Sequence, residues 1–64
     1  MKLTKEEKAL ILDSHDLIAE IEGDCYPPNV VEIRGNKVWY YGGFEDFLNW
    51  DWIYVDTLLK RLKG

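Results

Sequence analysis

The chain has 64 residues, 47% of them apolar, a formal charge of −4 and a single cysteine. That length makes one small domain; the apolar share is too high for a disordered chain, and the lone cysteine excludes an internal disulfide and points to a reducing compartment, the cytoplasm. No apolar run exceeds four residues, against the roughly 20 that a membrane-spanning helix needs; the start MKLTKEEKAL lacks an apolar signal-peptide core, and the acidic balance speaks against duplex nucleic acid, whose binders use Lys and Arg to displace counterions.

The first element reads as a helix over 5–22. Thr4-Lys5-Glu6-Glu7 is a capping box, in which the Thr4 hydroxyl accepts from the Glu7 backbone and the Glu7 carboxylate reaches back. Leu10, Leu17, Ile18 and Ile21 share one face at helical spacing, with Ile11 on its margin, and Gly23 is a natural stop. The opposite face carries the acidic stripe Glu6, Asp13, Asp16 and Glu20. CYPPN then predicts a loop over 24–29, because adjacent prolines cannot sit inside a regular element.

VVEIR and KVWYY flank Gly35-Asn36, the signal of a β-hairpin with a type II′ turn. The two-residue loop sets the register, from Arg34 opposite Lys37 to Val30 opposite Tyr41. Alternation gives the ribbon a core face of Val31, Ile33, Val38 and Tyr40. Its other face holds Val30, Glu32, Arg34, Lys37, Trp39 and Tyr41. Gly42-Gly43 is expected to end the hairpin. Beyond it, a short helical turn at 45–49 and a helix over 52–63, capped by Asn49 or Asp51, avoid placing Asp51 in an apolar stripe. The competing reading makes 50–55 a third short strand, because Trp, Ile, Tyr and Val favour strands, and has Asp56 cap a shorter final helix. These elements predict an α+β domain: N-terminal helix, two-stranded antiparallel hairpin and C-terminal helix, with the third strand as the open alternative.

Several groups of residues carry the letters of chemistry without its geometry. Ser14-His15-Asp16 spells a hydrolytic triad, but neighbours on a helix diverge by about 100°. Ser14 falls within the apolar face and is expected to return its hydroxyl to a backbone carbonyl. His15 with Asp13, Asp16, Glu20, Glu22 and Asp24 lacks the spacing of a metal site and reads as a solvated acidic face. Cys25 with His15 lacks an orienting group, so Cys25 reads as a semi-buried structural residue. Gly35, Gly42 and Gly43 are turn residues and not a phosphate loop. No catalytic residue, metal or cofactor follows from these patterns.

The stretch KVWYYGGFEDFLNWDWIYVD, residues 37–56, holds eight aromatic residues, including all three tryptophans. Tyr40, Phe44 and Phe47 are expected to fill the core beside aliphatics such as Leu10, Leu17, Ile18, Leu48, Leu58 and Leu59. Each enclosed ring hides about 150–250 Å², and so small a domain cannot enclose them all. The surplus predicts a contact surface built from Arg34, Trp39, Tyr41, Trp50 and Trp52, with Asp13, Asp16 and Glu20 orienting the approach. In size and composition the chain resembles the small acidic proteins with which phages and mobile elements inhibit host enzymes or defence systems. That resemblance implies a cytosolic, non-enzymatic inhibitor or regulator that occludes a target protein. A homodimer through the exposed ribbon is compatible with it and adds the stability a small domain lacks. The alternative from another class is a single-stranded nucleic acid platform on the hairpin, disfavoured by the acidic total.

Overall fold

The computed structural model describes residues 2–23, 26–44 and 46–64, apart from the side chain of Phe44. The element order is α1 (Lys5–Leu12), α2 (His15–Glu22), β1 (Val30–Arg34), β2 (Lys37–Phe44), β3 (Phe47–Tyr54) and α3 (Val55–Lys63). The strands form one antiparallel sheet in the order β1-β2-β3. The α+β class is as the sequence implies, with one more helix and one more strand than the leading reading.

The expected single N-terminal helix is two. Its start follows the capping box: the Glu7 amide donates to Thr4 Oγ1 and the Thr4 amide to Glu7 Oε1. The break comes at Asp13-Ser14, two residues whose short polar side chains compete for backbone hydrogen bonds. The Ser14 amide donates to the Ile11 carbonyl, and the Ser14 hydroxyl donates to that same oxygen. The break also changes which residue faces inward. Ile11 is fully buried, whereas Leu10 is 45% exposed. Gly23 closes α2 in the left-handed conformation at φ 73°, the C-terminal stop the sequence implies.

The first hairpin has the register read from its two-residue loop: Arg34 faces Lys37, Ile33 faces Val38, Glu32 faces Trp39, Val31 faces Tyr40 and Val30 faces Tyr41. Gly35 takes φ 61°, the sign such a turn needs. Gly42-Gly43 does not end the hairpin. β2 runs through both glycines to Phe44, and they permit the extension. A Cβ on Gly42 would lie 2.7 Å from the Pro28 Cα, where the incoming loop crosses the strand. A Cβ on Gly43, at φ 150°, would overlap the Phe47 carbonyl oxygen.

The third strand replaces the expected turn at 45–49 and the start of a helix at 52. It is longer than the alternative reading had it, beginning at Phe47. In β3 the alternation of Trp50, Asp51, Trp52, Ile53 and Tyr54 sends Ile53 into the core and leaves Asp51 exposed, which removes the conflict a helix would create. Asp51 caps no helix; its Oδ1 accepts from the Trp52 amide within the strand. Tyr54, and not Asn49, Asp51 or Asp56, is the N-cap of α3, and Asp56 lies in the first turn.

The core consists of Ile11, Ile18, Val31, Val38, Tyr40, Ile53, Val55, Leu58 and Leu59, with Leu3, Leu17, Ile21, Ile33 and Leu62 packed against it. Leu48 and Phe47 are exposed, contrary to their expected place inside. The Phe44 side chain and Cys25 lie outside the described residues. One tie joins the two ends of the fold: Lys63 Nζ on α3 donates to Glu7 Oε2 on α1 at 2.7 Å. That bond and the Thr4 cap hold the Glu7 carboxyl below its ordinary range.

Candidate functional site: an aromatic sheet face

Because Val31, Val38, Tyr40 and Ile53 point to the helices, the intervening residues point away from them. The pairings Glu32–Trp39–Trp52, Val30–Tyr41–Trp50 and Arg34–Lys37–Tyr54 stack these into three cross-strand rows. The result is a sheet face carrying five rings from β2 and β3, with Leu48 at its end. The expected partners Trp39, Tyr41, Trp50, Trp52 and Arg34 are all brought together here. Tyr54 belongs to the same face and was missed, because a helix over 52–63 breaks its alternation with Trp50 and Trp52. The strand reading of the same letters places it correctly.

The rings pack on one another in tilted and edge-on pairs, as their quadrupoles favour. Trp39 and Trp52 centroids are 6.4 Å apart, Tyr41 and Trp50 are 5.4 Å apart, and Trp52 meets Tyr54 edge-on at 4.9 Å. Two cations lie across them. The Arg34 guanidinium is 5.7 Å from the Trp39 ring centroid and 5.4 Å from that of Trp50; the Lys37 ammonium is 4.2 Å from Trp52. Arg34 is held in place by Glu32, whose Oε2 accepts from Nε and Nη2 at 3.0 and 2.6 Å. The mutual packing half-buries Trp39, Tyr41 and Trp52. Trp50 and Tyr54 on the outer strand remain 43% and 49% exposed.

Asp13, Asp16 and Glu20 are not part of this surface. They lie exposed in the helical layer, on the other side of the sheet, where Glu20 approaches Arg61 at 4.0 Å. The Ser14-His15-Asp16 run forms no triad, since the Ser14 hydroxyl is buried and bonded to the backbone. Among the described residues no three His, Cys, Asp or Glu side chains gather as metal ligands would, and no helix is long and apolar enough to cross a membrane.

No family model matches this chain, and no match is found among curated proteins or solved structures. The reading of the site therefore rests on its own chemistry. A sheet face of five rings and a leucine, with one cation already paired to Glu32, offers dispersion and ring stacking over a broad area.

A concavity lies on the helix-bearing side of the sheet, between the end of α2 and the inner residues of β2 and β3. This cleft of about 290 Å³ is lined by Glu22, Tyr26, Pro28, Tyr40, Phe47, Asn49 and Asp51, with Gly42 and Gly43 as its floor. Sequence reading missed it, because it depends on β2 extending through the two glycines.

Proposed function

We propose that this chain is a small, non-enzymatic protein-binding module that works in the cytoplasm and docks its helix-free sheet face onto a target protein. It acts by occlusion, as an inhibitor or regulator of the type used by phages and mobile elements. The observation that supports the reading is the gathering of Trp39, Tyr41, Trp50, Trp52 and Tyr54 on the sheet face opposite the described helices. Trp, Tyr and Arg are the residue types that dominate binding hot spots, and contiguous exposed apolar patches mark interaction sites. Rings already braced against one another lose little freedom when a partner covers them.

The test is affinity purification of the target, followed by reconstitution from purified components with the wild type and a Trp50→Ala variant. Loss of binding by a folded variant supports the reading; unchanged binding overturns it. Analytical ultracentrifugation reports whether the same face serves a homodimer, because a monomer at high micromolar concentration excludes one. The two cations on the face also suit a stacking platform for single-stranded nucleic acid. Arg34 is paired to Glu32, however, and the whole molecule is acidic. A fluorescent oligonucleotide that fails to bind at low salt removes that alternative.

A further inference from the structure

We infer that the outer edge of β3 takes up an extended segment of a partner protein as a fourth strand, and that the segment alternates apolar residues with lysine or arginine. The inference deepens the protein-binding reading above and rests on it.

The hydrogen-bond alternation fixes which backbone groups are free. In the first hairpin the two-residue loop closes on Arg34–Lys37, so Lys37, Trp39 and Tyr41 bond toward β1. The Asn29 amide, just before β1 and one residue out of its register, also donates to the Tyr41 carbonyl at 2.8 Å, which places that carbonyl on the β1 side. Val38, Tyr40 and Gly42 are left for β3, where they face Ile53, Asp51 and Asn49. The Val55 amide extends this second series, donating to the Asn36 carbonyl at 2.9 Å. The amides and carbonyls of Leu48, Trp50, Trp52 and Tyr54 therefore point outward along the open edge. The Trp52 amide bears this out, since its acceptor is the Asp51 side chain and not a neighbouring strand.

Of the usual protections this edge has an inward-side charge, Asp51, which also occupies the Trp52 amide. Natural edge strands are short, bulged, covered, or studded with lysine and proline. β3 has eight residues, no proline and a single charge, Asp51, and Phe47 is 79% exposed. A strand laid against it exposes alternate side chains to two environments. On the outer face they continue the row of Leu48, Trp50, Trp52 and Tyr54, which suits β-branched and aromatic residues. On the inner face they meet Phe47, Asn49 and Asp51 at the mouth of the cleft, with Tyr26, Tyr40 and Glu22 behind. Asp51 would sit in a non-hydrogen-bonded pair, the kind that brings opposing side chains closest. Among the described residues the lining offers rings and two carboxylates, Glu22 and Asp51, and no lysine or arginine, which selects a cation. A second copy of β3 would instead bring another Asp51 to this acidic end, so charge favours a basic partner segment over self-pairing.

The probe is an end-capped octapeptide alternating valine and lysine, titrated into the intact protein and read by amide hydrogen exchange. Bound peptide should slow exchange at Leu48, Trp50 and Tyr54 at least tenfold and leave Val31 and Ile33, on the far edge, unchanged. The matching valine–glutamate peptide should not bind, and Asp51→Asn should weaken the lysine peptide about two- to fivefold, the worth of one cross-strand charge pair. Trp50→Pro removes an outward amide where strand proline is tolerated; it should bind at least tenfold more weakly than Trp50→Ala. If Trp50→Pro does not fold, the wild-type exchange pattern decides. Equal binding of the acidic peptide, protection at Val31 and Ile33, or protection of β3 that rises with protein concentration alone would each overturn the inference. If the peptide fails while Trp50→Ala still abolishes target binding, the edge assignment falls and the sheet-face reading stands.

Discussion

Replacing Trp50 by alanine separates a docking ring from a structural one. Trp50 is 43% exposed, so rather more than half of its side chain is covered, chiefly by Tyr41 and Arg34. A fully enclosed tryptophan hides about 250 Å², so roughly 140 Å² is at stake, or about 3.5 kcal/mol at 25 cal/mol per Å². The compactness of real unfolded chains and the retained Cβ reduce this to about 2 kcal/mol. A domain of this length holds about 3–10 kcal/mol in total, so the variant remains folded, as circular dichroism through a urea titration should show. A hot-spot ring contributes at least about 2 kcal/mol to binding, which is roughly a 30-fold weaker dissociation constant by calorimetry against the reconstituted target. Leu58→Ala is the control. Leu58 is fully buried beneath the sheet, so its loss costs about 2–5 kcal/mol of stability yet leaves the affinity of the folded fraction unchanged. A Trp50→Ala protein that is folded and binds within twofold of wild type refutes the docking role. Removing Trp39 and Tyr41 together is a poorer instrument, because both lie half-buried on the central strand and their combined loss threatens the fold.

Three further outcomes follow from the packing. Ile11→Ala should cost about 2–5 kcal/mol in urea unfolding, whereas Leu10→Ala should cost less than about 1 kcal/mol; the reverse order would restore a continuous N-terminal helix. Gly42→Ala should destabilise by about 1–3 kcal/mol, as overpacking against a backbone atom does, because its Cβ meets the Pro28 Cα at 2.7 Å. Glu7 is held below its ordinary value of 4.5, first by the Lys63 hydrogen bond and then by the Thr4 cap. A carboxyl lowered in the folded state adds stability that is present above its unfolded value and is lost as pH falls through the folded one. Wild type should therefore lose more Tm than Glu7→Gln between pH 5 and strongly acidic solution, with the two curves converging there; parallel curves would remove the ion pair from the account.

The hairpin was legible because its information is local. A two-residue loop and strict alternation determine register without reference to anything distant, and Gly35 supplies the positive φ that the turn needs. The capping box and the Gly23 stop were legible for the same reason. The break at Asp13-Ser14 was not. Apolar spacing alone allowed a continuous helix, and the deciding event is Ser14 closing on the Ile11 carbonyl. Residues 47–54 were harder still, since FLNWDWIY fits a strand by residue type and a helix by spacing. What selects the strand is β2, which offers Trp39 and Tyr41 opposite Trp52 and Trp50. The site inherited that difficulty: its residues were readable as a surplus of rings, while their common face depended on the third strand.

A sheet has two faces, and this chain has helices for one. The Cα extents are 35 × 22 × 15 Å. The shortest dimension accommodates one sheet and one layer of helices about 10 Å across. The core residues of α1, α2 and α3 join Val31, Val38, Tyr40 and Ile53 from the same side of the sheet. No further helix of the described chain remains to cover the other. The rings there respond by leaning on one another and by drawing Arg34 and Lys37 over them, which half-buries the central row. That remedy weakens toward β3, whose Trp50 and Tyr54 lie on the edge strand of the three that the described residues form. Exposure is therefore greatest where the backbone is also unpaired, so one partner segment laid along β3 would cover both at once.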